Sequence, residues 1–87
     1  MRLDVFLKQS RLVKRRTTAK ELCDEGAVAL NGRLARAGKD VAVGDQVTLR
    51  FWNRLIEIEI ERIPERPPSV KDSRTLYRLV SEKRVET

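Results

Sequence analysis

The sequence has 87 residues, of which 40% are apolar and 37% charged, with no histidine, one cysteine and a net charge of +6. That length supports one small domain with a thin core, and no apolar run approaches the roughly 18 residues of a membrane span. No signal-peptide-like apolar segment follows the start, Cys23 has no partner for an internal disulfide, and the commonest metal ligand is missing. These features predict a soluble, reduced, cytoplasmic protein with no cofactor and no metal.

Leu3, Phe6 and Leu7 recur at i, i+3, i+4, with Ser10 continuing the stripe, which predicts a short helix over 3–10. Asp4 falls in its first turn, where a negative charge suits the helix dipole. Leu12 and Val13 read as a connector that still feeds the core. Ala19, Leu22 and Cys23 repeat the spacing in a second helix over 16–25, which Gly26 is placed to stop in a left-handed conformation. Thr17 or Thr18 is a candidate to cap or open it.

The period then shortens to two. Val28 and Leu30 alternate with Ala27 and Ala29, Asn31-Gly32 is a strong hairpin signal, and Leu34 and Ala35 begin the return strand. Gly44-Asp45 marks another turn, after which Val47, Leu49 and Phe51 alternate with Thr48 and Arg50. Asn53-Arg54 reads as the turn into Ile56, Ile58 and Ile60, which alternate with Glu57, Glu59 and Glu61. That strand has one apolar face and one acidic face in water. The proline-rich stretch 64–68 is expected to end the sheet. Beyond it, Leu76, Tyr77, Leu79 and Val80 are expected to form a short helix docked on the sheet, with 83–87 fraying. The fold class is α+β: two N-terminal helices packed on a small antiparallel sheet, with a short C-terminal helical tail. Residues 1–63 form the domain; 64–87 are linker and tail.

Catalytic signatures are sparse. The Glu57, Glu59 and Glu61 row follows from a solvated strand face, and nothing in the sequence flanks it to shift a pKa. Cys23 lies on the apolar stripe of the second helix, the position of a buried small hydrophobe and not of a reactive thiolate. Gly26 and Gly32 are accounted for by a helix end and a turn, so no phosphate loop is present. The chain is read as a non-enzyme; Trp52 is left undecided between core, sheet edge and contact residue.

The charge distribution is the informative feature. Residues 1–20 carry Arg2, Lys8, Arg11, Lys14, Arg15, Arg16 and Lys20 against Asp4 alone, and the rest of the chain is neutral. Segregated positive charge repels itself unless a polyanion offsets it, which points to nucleic acid. Arginine dominates, and its planar fork suits phosphate oxygens. Aromatic residues make up only 5% of the chain, so base stacking is not expected as the main mode. Tracking the phosphates of structured RNA fits better.

The segment MRLDVFLKQSRLVKRRTTAKELCDEGAVALNG, followed by VAVGDQVTL, resembles the RNA-binding domain named for ribosomal small-subunit protein four. The shared elements are the RLD start, a basic residue before an Ala-containing helix, a Gly, the N-G turn and the G-D turn, in that order over residues 1–51. The resemblance implies the alpha-L RNA-binding fold. Arg15 stands where the family often has Ser or Thr, which removes a side-chain helix cap. The KRRT run and short tail resemble in particular a free-standing bacterial subgroup acting in ribosome-associated quality control, related to the fifteen-kilodalton heat-shock protein.

That likeness implies three partners: large ribosomal subunit RNA, peptidyl-tRNA, and a tailing factor that extends the stalled nascent chain. With no apolar run long enough for a membrane span, no membrane partner is expected, and the chain is expected to be a monomer off the ribosome. The RNA-binding candidates are Arg2, Arg11, Lys14, Arg15, Arg16, Thr17 and Lys20, with Lys8 and Arg33 as weaker ones. By motif position Arg2 and Arg16 are the principal contacts, expected to converge on one RNA surface and to be replaceable by alanine without loss of thermal stability. A ribosome-assembly or RNA-chaperone role, or a protein–protein adaptor using the basic patch, are the alternatives.

Overall fold

Apolar spacing of three and four residues gives two helices at the start of the chain. In the computed structural model, which describes residues 1–85, α1 spans Leu3–Gln9 and α2 spans Arg16–Asp24. Leu3, Phe6, Leu7, Val13, Ala19 and Cys23 turn inward and are buried. Each large apolar side chain buried this way stabilises the fold by about 1.5–3 kcal/mol relative to exposure. Gly26 follows α2 at φ +77, the left-handed stop expected from its position.

The remaining elements form one antiparallel sheet. Its strands are β1 (Val28–Leu30), β2 (Arg33–Leu34), β3 (Gln46–Phe51), β4 (Arg54–Ile60) and β5 (Tyr77–Arg84), in spatial order β2-β1-β3-β4-β5. Asn31 and Gly32 both have positive φ, 51° and 84°, the geometry of a primed two-residue turn between β1 and β2. Asn31 also ties this turn to the next one. Its Nδ2 donates to Asp45 Oδ1 at 3.1 Å, and its Oδ1 accepts from Gln46 N at 2.9 Å. Val28, Leu30, Val47, Leu49, Ile56, Ile58 and Ile60 form the apolar side of the sheet and close the core with α1 and α2.

Several expectations need correction. The return strand β2 starts at Arg33, one residue early. The turn between β3 and β4 is Trp52-Asn53, not Asn53-Arg54, because Phe51 and Arg54 already pair in register. The largest change is in the tail. Helical turns occur upstream, in α3 (Val70–Ser73) and a 3-10 turn at Arg74–Leu76, whereas Tyr77, Leu79 and Val80 belong to strand β5.

The reason is the open edge of β4, whose unpaired backbone groups accept a chain rich in strand-forming residues. The proline-rich stretch therefore ends β4, but the sheet resumes after it. Leu76 does dock on the core as expected, fully buried. Lys83 and Arg84 are in β5 rather than frayed; Glu86 and Thr87, also expected to fray, lie outside the described residues. Strand β5 also changes the acidic face, since Arg78 pairs with Glu59 at 3.6 Å and Glu61 at 3.5 Å.

Candidate nucleic-acid interface

The first residues are fixed by backbone hydrogen bonds to the loop that precedes β3. Leu3 N donates to Lys39 O at 2.8 Å, Asp4 N to Ala37 O at 3.1 Å, and Val41 N to Met1 O at 2.9 Å. Arg2 is thereby held extended just ahead of α1, and its side chain folds back onto Asp4. Arg2 Nε donates to Asp4 Oδ1 at 3.1 Å and its Nη2 to Oδ2 at 3.3 Å. From the first turn of α2, Arg16 Nε donates to the same Oδ2 at 3.3 Å.

Asp4 is only 1% exposed, while the arginine side chains are 47% and 55% exposed. Burial by itself would raise the Asp4 carboxyl. Hydrogen bonds from Arg2, Arg16 and Val5 N–H, with the charge of Arg2, outweigh it and hold the group below its ordinary value. The arrangement is a clamp: a buried anion orients two half-exposed guanidinium forks and leaves one positive charge in excess. Arg16 is held through Nε alone, so both of its Nη groups are without a hydrogen bond among the described residues.

The clamp sits beside an uncapped helix start. Arg15, the residue ahead of α2, is extended and makes no side-chain cap, and no acid lies in the first turn. The free N–H groups and the helix dipole there favour an anion, with exposed Thr17 and Lys20 on the same opening turns.

A second cationic group forms at the other end of α1. Lys8, Arg11 and Lys14 line a cleft of about 320 Å³, closed on one side by Pro67 and Pro68. Arg11 has φ +62, a left-handed conformation that costs an L-residue about 1–2 kcal/mol. This tight reversal, closed by Arg11 N to Lys8 O at 3.0 Å, lets Val13 N reach Leu7 O at 3.1 Å and bury its side chain. The strained turn is thus part of how the cations are presented.

Arg33 lies elsewhere, on the edge strand β2. It lines an open, mostly apolar cleft of about 700 Å³ with Leu34, Arg36 and Lys39. This cleft borders the clamp through Gly38, where an added Cβ would stand 3.8 Å from the Arg2 guanidinium. Arg36 and Lys39 were missed in the sequence, because they lie in an irregular loop with no periodicity to place them. Asp4 was missed as an organiser; its signal was being the only acid in a basic segment.

Cys23 is buried as expected, and its thiol is pushed up to about 11, by burial first and then by Asp4 and Asp24. Such a thiol is protonated at neutral pH and is no nucleophile.

Residues 1–47 match the S4 domain family. A relative from Streptococcus pneumoniae, described as an RQC P-site tRNA stabilizing factor, is 43% identical over 86 residues, covering 99% of this chain and 97% of the relative. One from Halalkalibacterium halodurans with the same description is 45% identical over 82 residues, covering 94% of this chain and 92% of the relative. Among solved structures, heat shock protein 15 of Vibrio cholerae superposes with a TM-score of 0.86 at 33% identity, covering 93% of this chain and 82% of that one.

Proposed function

The chain belongs to the S4 domain family, and from that premise we propose that it is a non-catalytic RNA-binding factor of ribosome-associated quality control. Its target is the large ribosomal subunit carrying peptidyl-tRNA, and it steadies that tRNA while a separate tailing factor extends the stalled chain. It works in the cytoplasm and is a monomer off the ribosome. Among the described residues, no helix is long and apolar enough to cross a membrane.

The observation that carries this reading is the clamp. Two guanidinium groups fixed on one buried carboxylate lose little conformational freedom on meeting phosphate oxygens, and their planar forks bind such oxygens in pairs. The Arg2–Asp4–Arg16 clamp and the Lys8–Arg11–Lys14 cleft flank α1, whose seven residues span about 10 Å. Two separated anion contacts suit a protein bridging two RNA bodies, here ribosomal RNA and tRNA. Phosphate contacts of this kind read position and shape, which fits folded A-form targets.

The test is co-sedimentation with large subunits that do or do not hold peptidyl-tRNA. Wild-type protein should pellet with the occupied particles and be released by RNase. The Arg2→Ala/Arg16→Ala double variant should stay in the supernatant, whereas Arg62→Ala, beyond β4, should pellet normally. Retention after RNase treatment would assign the basic patch to an acidic protein and overturn the reading.

A further inference from the structure

The hairpin between β3 and β4 carries a feature that the clamp does not use. Trp52 is 86% exposed, yet it occupies the first central position of a two-residue turn at φ +59. Positive φ at that position alone is the pattern in which glycine is favoured, and a bulky residue there is strained. A large apolar ring held in water on a strained backbone gains nothing for the fold. Among the described residues its aromatic neighbour is Phe51, with the two rings edge-on at 6.1 Å and 82°.

The surroundings are cationic. Arg54 and Arg84 are register partners on adjacent strands, like charges facing each other, which weakens a sheet. On the opposite face Arg50 and Lys83 flank Leu55 across the same three strands. None of these four forms an ion pair with a described carboxylate; the nearby acids are Glu82, facing Ile56, and Glu57, two residues beyond Leu55 on the same face as Arg50 and Lys83. Phe51, Trp52, Asn53 and Arg54 line an open cleft of about 640 Å³.

Arg50 N donates to Ala27 O at 2.8 Å, so this tip lies by the C-terminal end of α2, whereas Arg16 opens that helix. The nine-residue helix is about 13 Å long, with the acids Glu21 and Asp24 in its last turns and Glu25 at its C-terminal cap.

We propose that the β3–β4 tip is a further RNA contact, in which Trp52 stacks on the base of an unpaired nucleotide while Arg50, Arg54, Lys83 and Arg84 hold the flanking phosphates. An exposed ring at a strand tip that carries two cations on each face, none ion-paired with a described carboxylate, matches a nucleotide, which offers an apolar face and negative charge together. An apolar protein anchor would leave the four cations unmatched. The proposal rests on the RNA-binding reading above and adds to it a preference for RNA with an unpaired residue.

Trp52 is the only tryptophan in the chain, so its emission reports this site directly. Labelled hairpin RNAs, one blunt and fully paired and one with a short single-stranded extension of adenylates, are titrated while RNA anisotropy and Trp52 emission are followed together. The extended RNA should quench Trp52 with the same midpoint as the anisotropy change. Trp52→Gly should bind the extended RNA at least about fivefold more weakly, bind the blunt hairpin within twofold of wild type, and melt no lower than wild type, while Trp52→Phe regains most of the loss. RNA binding that leaves Trp52 emission unchanged, or equal affinities for wild type and Trp52→Gly, overturns the stacking site and leaves the clamp intact. Quenching by polyglutamate but not by RNA overturns it in favour of an acidic protein partner. No anisotropy change with either RNA overturns the RNA-binding reading as a whole.

Discussion

Arg2 and Arg16, one ahead of α1 and one opening α2, share a single acceptor: Asp4 Oδ2 takes Arg2 Nη2 and Arg16 Nε, each at 3.3 Å. The two helices are therefore joined at their starts by charge as well as by apolar packing. The same contact that presents the guanidinium groups to a ligand also neutralises a buried carboxylate. This changes what substitution of either arginine does, since binding and stability are no longer independent at this place.

Asp4→Asn is expected to lower stability by about 1.5–3 kcal/mol, the range for hydrogen bonds to charged groups. The loss stays moderate because both arginines are half-exposed and can turn to water. In wild type the carboxyl lies below its ordinary value of 3.8, so the folded state favours its ionised form. Its contribution is complete above the unfolded value and disappears as pH falls through the lower folded one. Thermal melts between about pH 7 and pH 2 should show wild type losing this increment below about pH 4, with a shallower acid limb for Asp4→Asn.

For Arg16→Ala the expected loss of affinity for structured RNA is about 1–3 kcal/mol, that of a charge-assisted contact. Unlike the sequence-based expectation, a fall in melting temperature should accompany it, because Asp4 loses one of its two arginine partners. Arg16→Lys should regain part of the affinity, as a point charge without the fork. Arg62, bonded to Thr75 Oγ1 at 2.7 Å, is the control and should change neither quantity much. Equal affinities for Arg16→Ala and Arg62→Ala in an anisotropy assay would reduce the clamp to diffuse charge.

Much of this architecture is written in local spacing. Leu3, Phe6 and Leu7, then Ala19 and Cys23, mark their helices because period 3.6 leaves an unambiguous stripe, and Asn31-Gly32 marks its turn because only such residues take two positive φ values in succession. Strand β5 is not readable this way. Its pairing with β4 slips at a bulge between Glu57 and Ile58, and Tyr77, Leu79 and Val80 become a strand only because a distant edge is open to them. At the site, the meeting of Arg2 and Arg16 followed from motif order. The burial of Asp4 between them is a tertiary result of α2 docking on α1, and in sequence it looks like an ordinary first-turn acid.

Cys23→Ala should cost on the order of 1 kcal/mol through lost packing while leaving RNA affinity unchanged. The thiol adds a pH signature of opposite sense to that of Asp4. Its folded value of about 11 stands above the ordinary 9.0, so its protonated form is favoured on folding. That contribution is present below about pH 9 and is lost as pH rises toward 11. Alkaline melts should show wild type falling toward the variant over that window, and a constant gap between them would place Cys23 outside the core.

The last prediction separates the two cationic groups by their salt dependence. Each phosphate contact releases counterions, so the slope of log affinity against log salt falls by about 1 for every contact removed. Wild type, with several contacts, should lose one to several orders of magnitude in affinity between about 50 and 200 mM salt. If the Lys8–Arg11–Lys14 cleft meets phosphate, Lys8→Ala and Lys14→Ala should each flatten the slope by roughly one unit without a change in melting temperature. Arg11 should behave differently, because its backbone sits at φ +62. Arg11→Asn removes the same charge from a position where asparagine is better tolerated, so it should flatten the slope while raising stability by a fraction of the roughly 1–2 kcal/mol of strain. A variant that is more stable and binds with a flatter slope would mark Arg11 as held in strain for its contact. Unchanged slopes for all three substitutions would exclude the Lys8–Arg11–Lys14 cleft from the phosphate contacts.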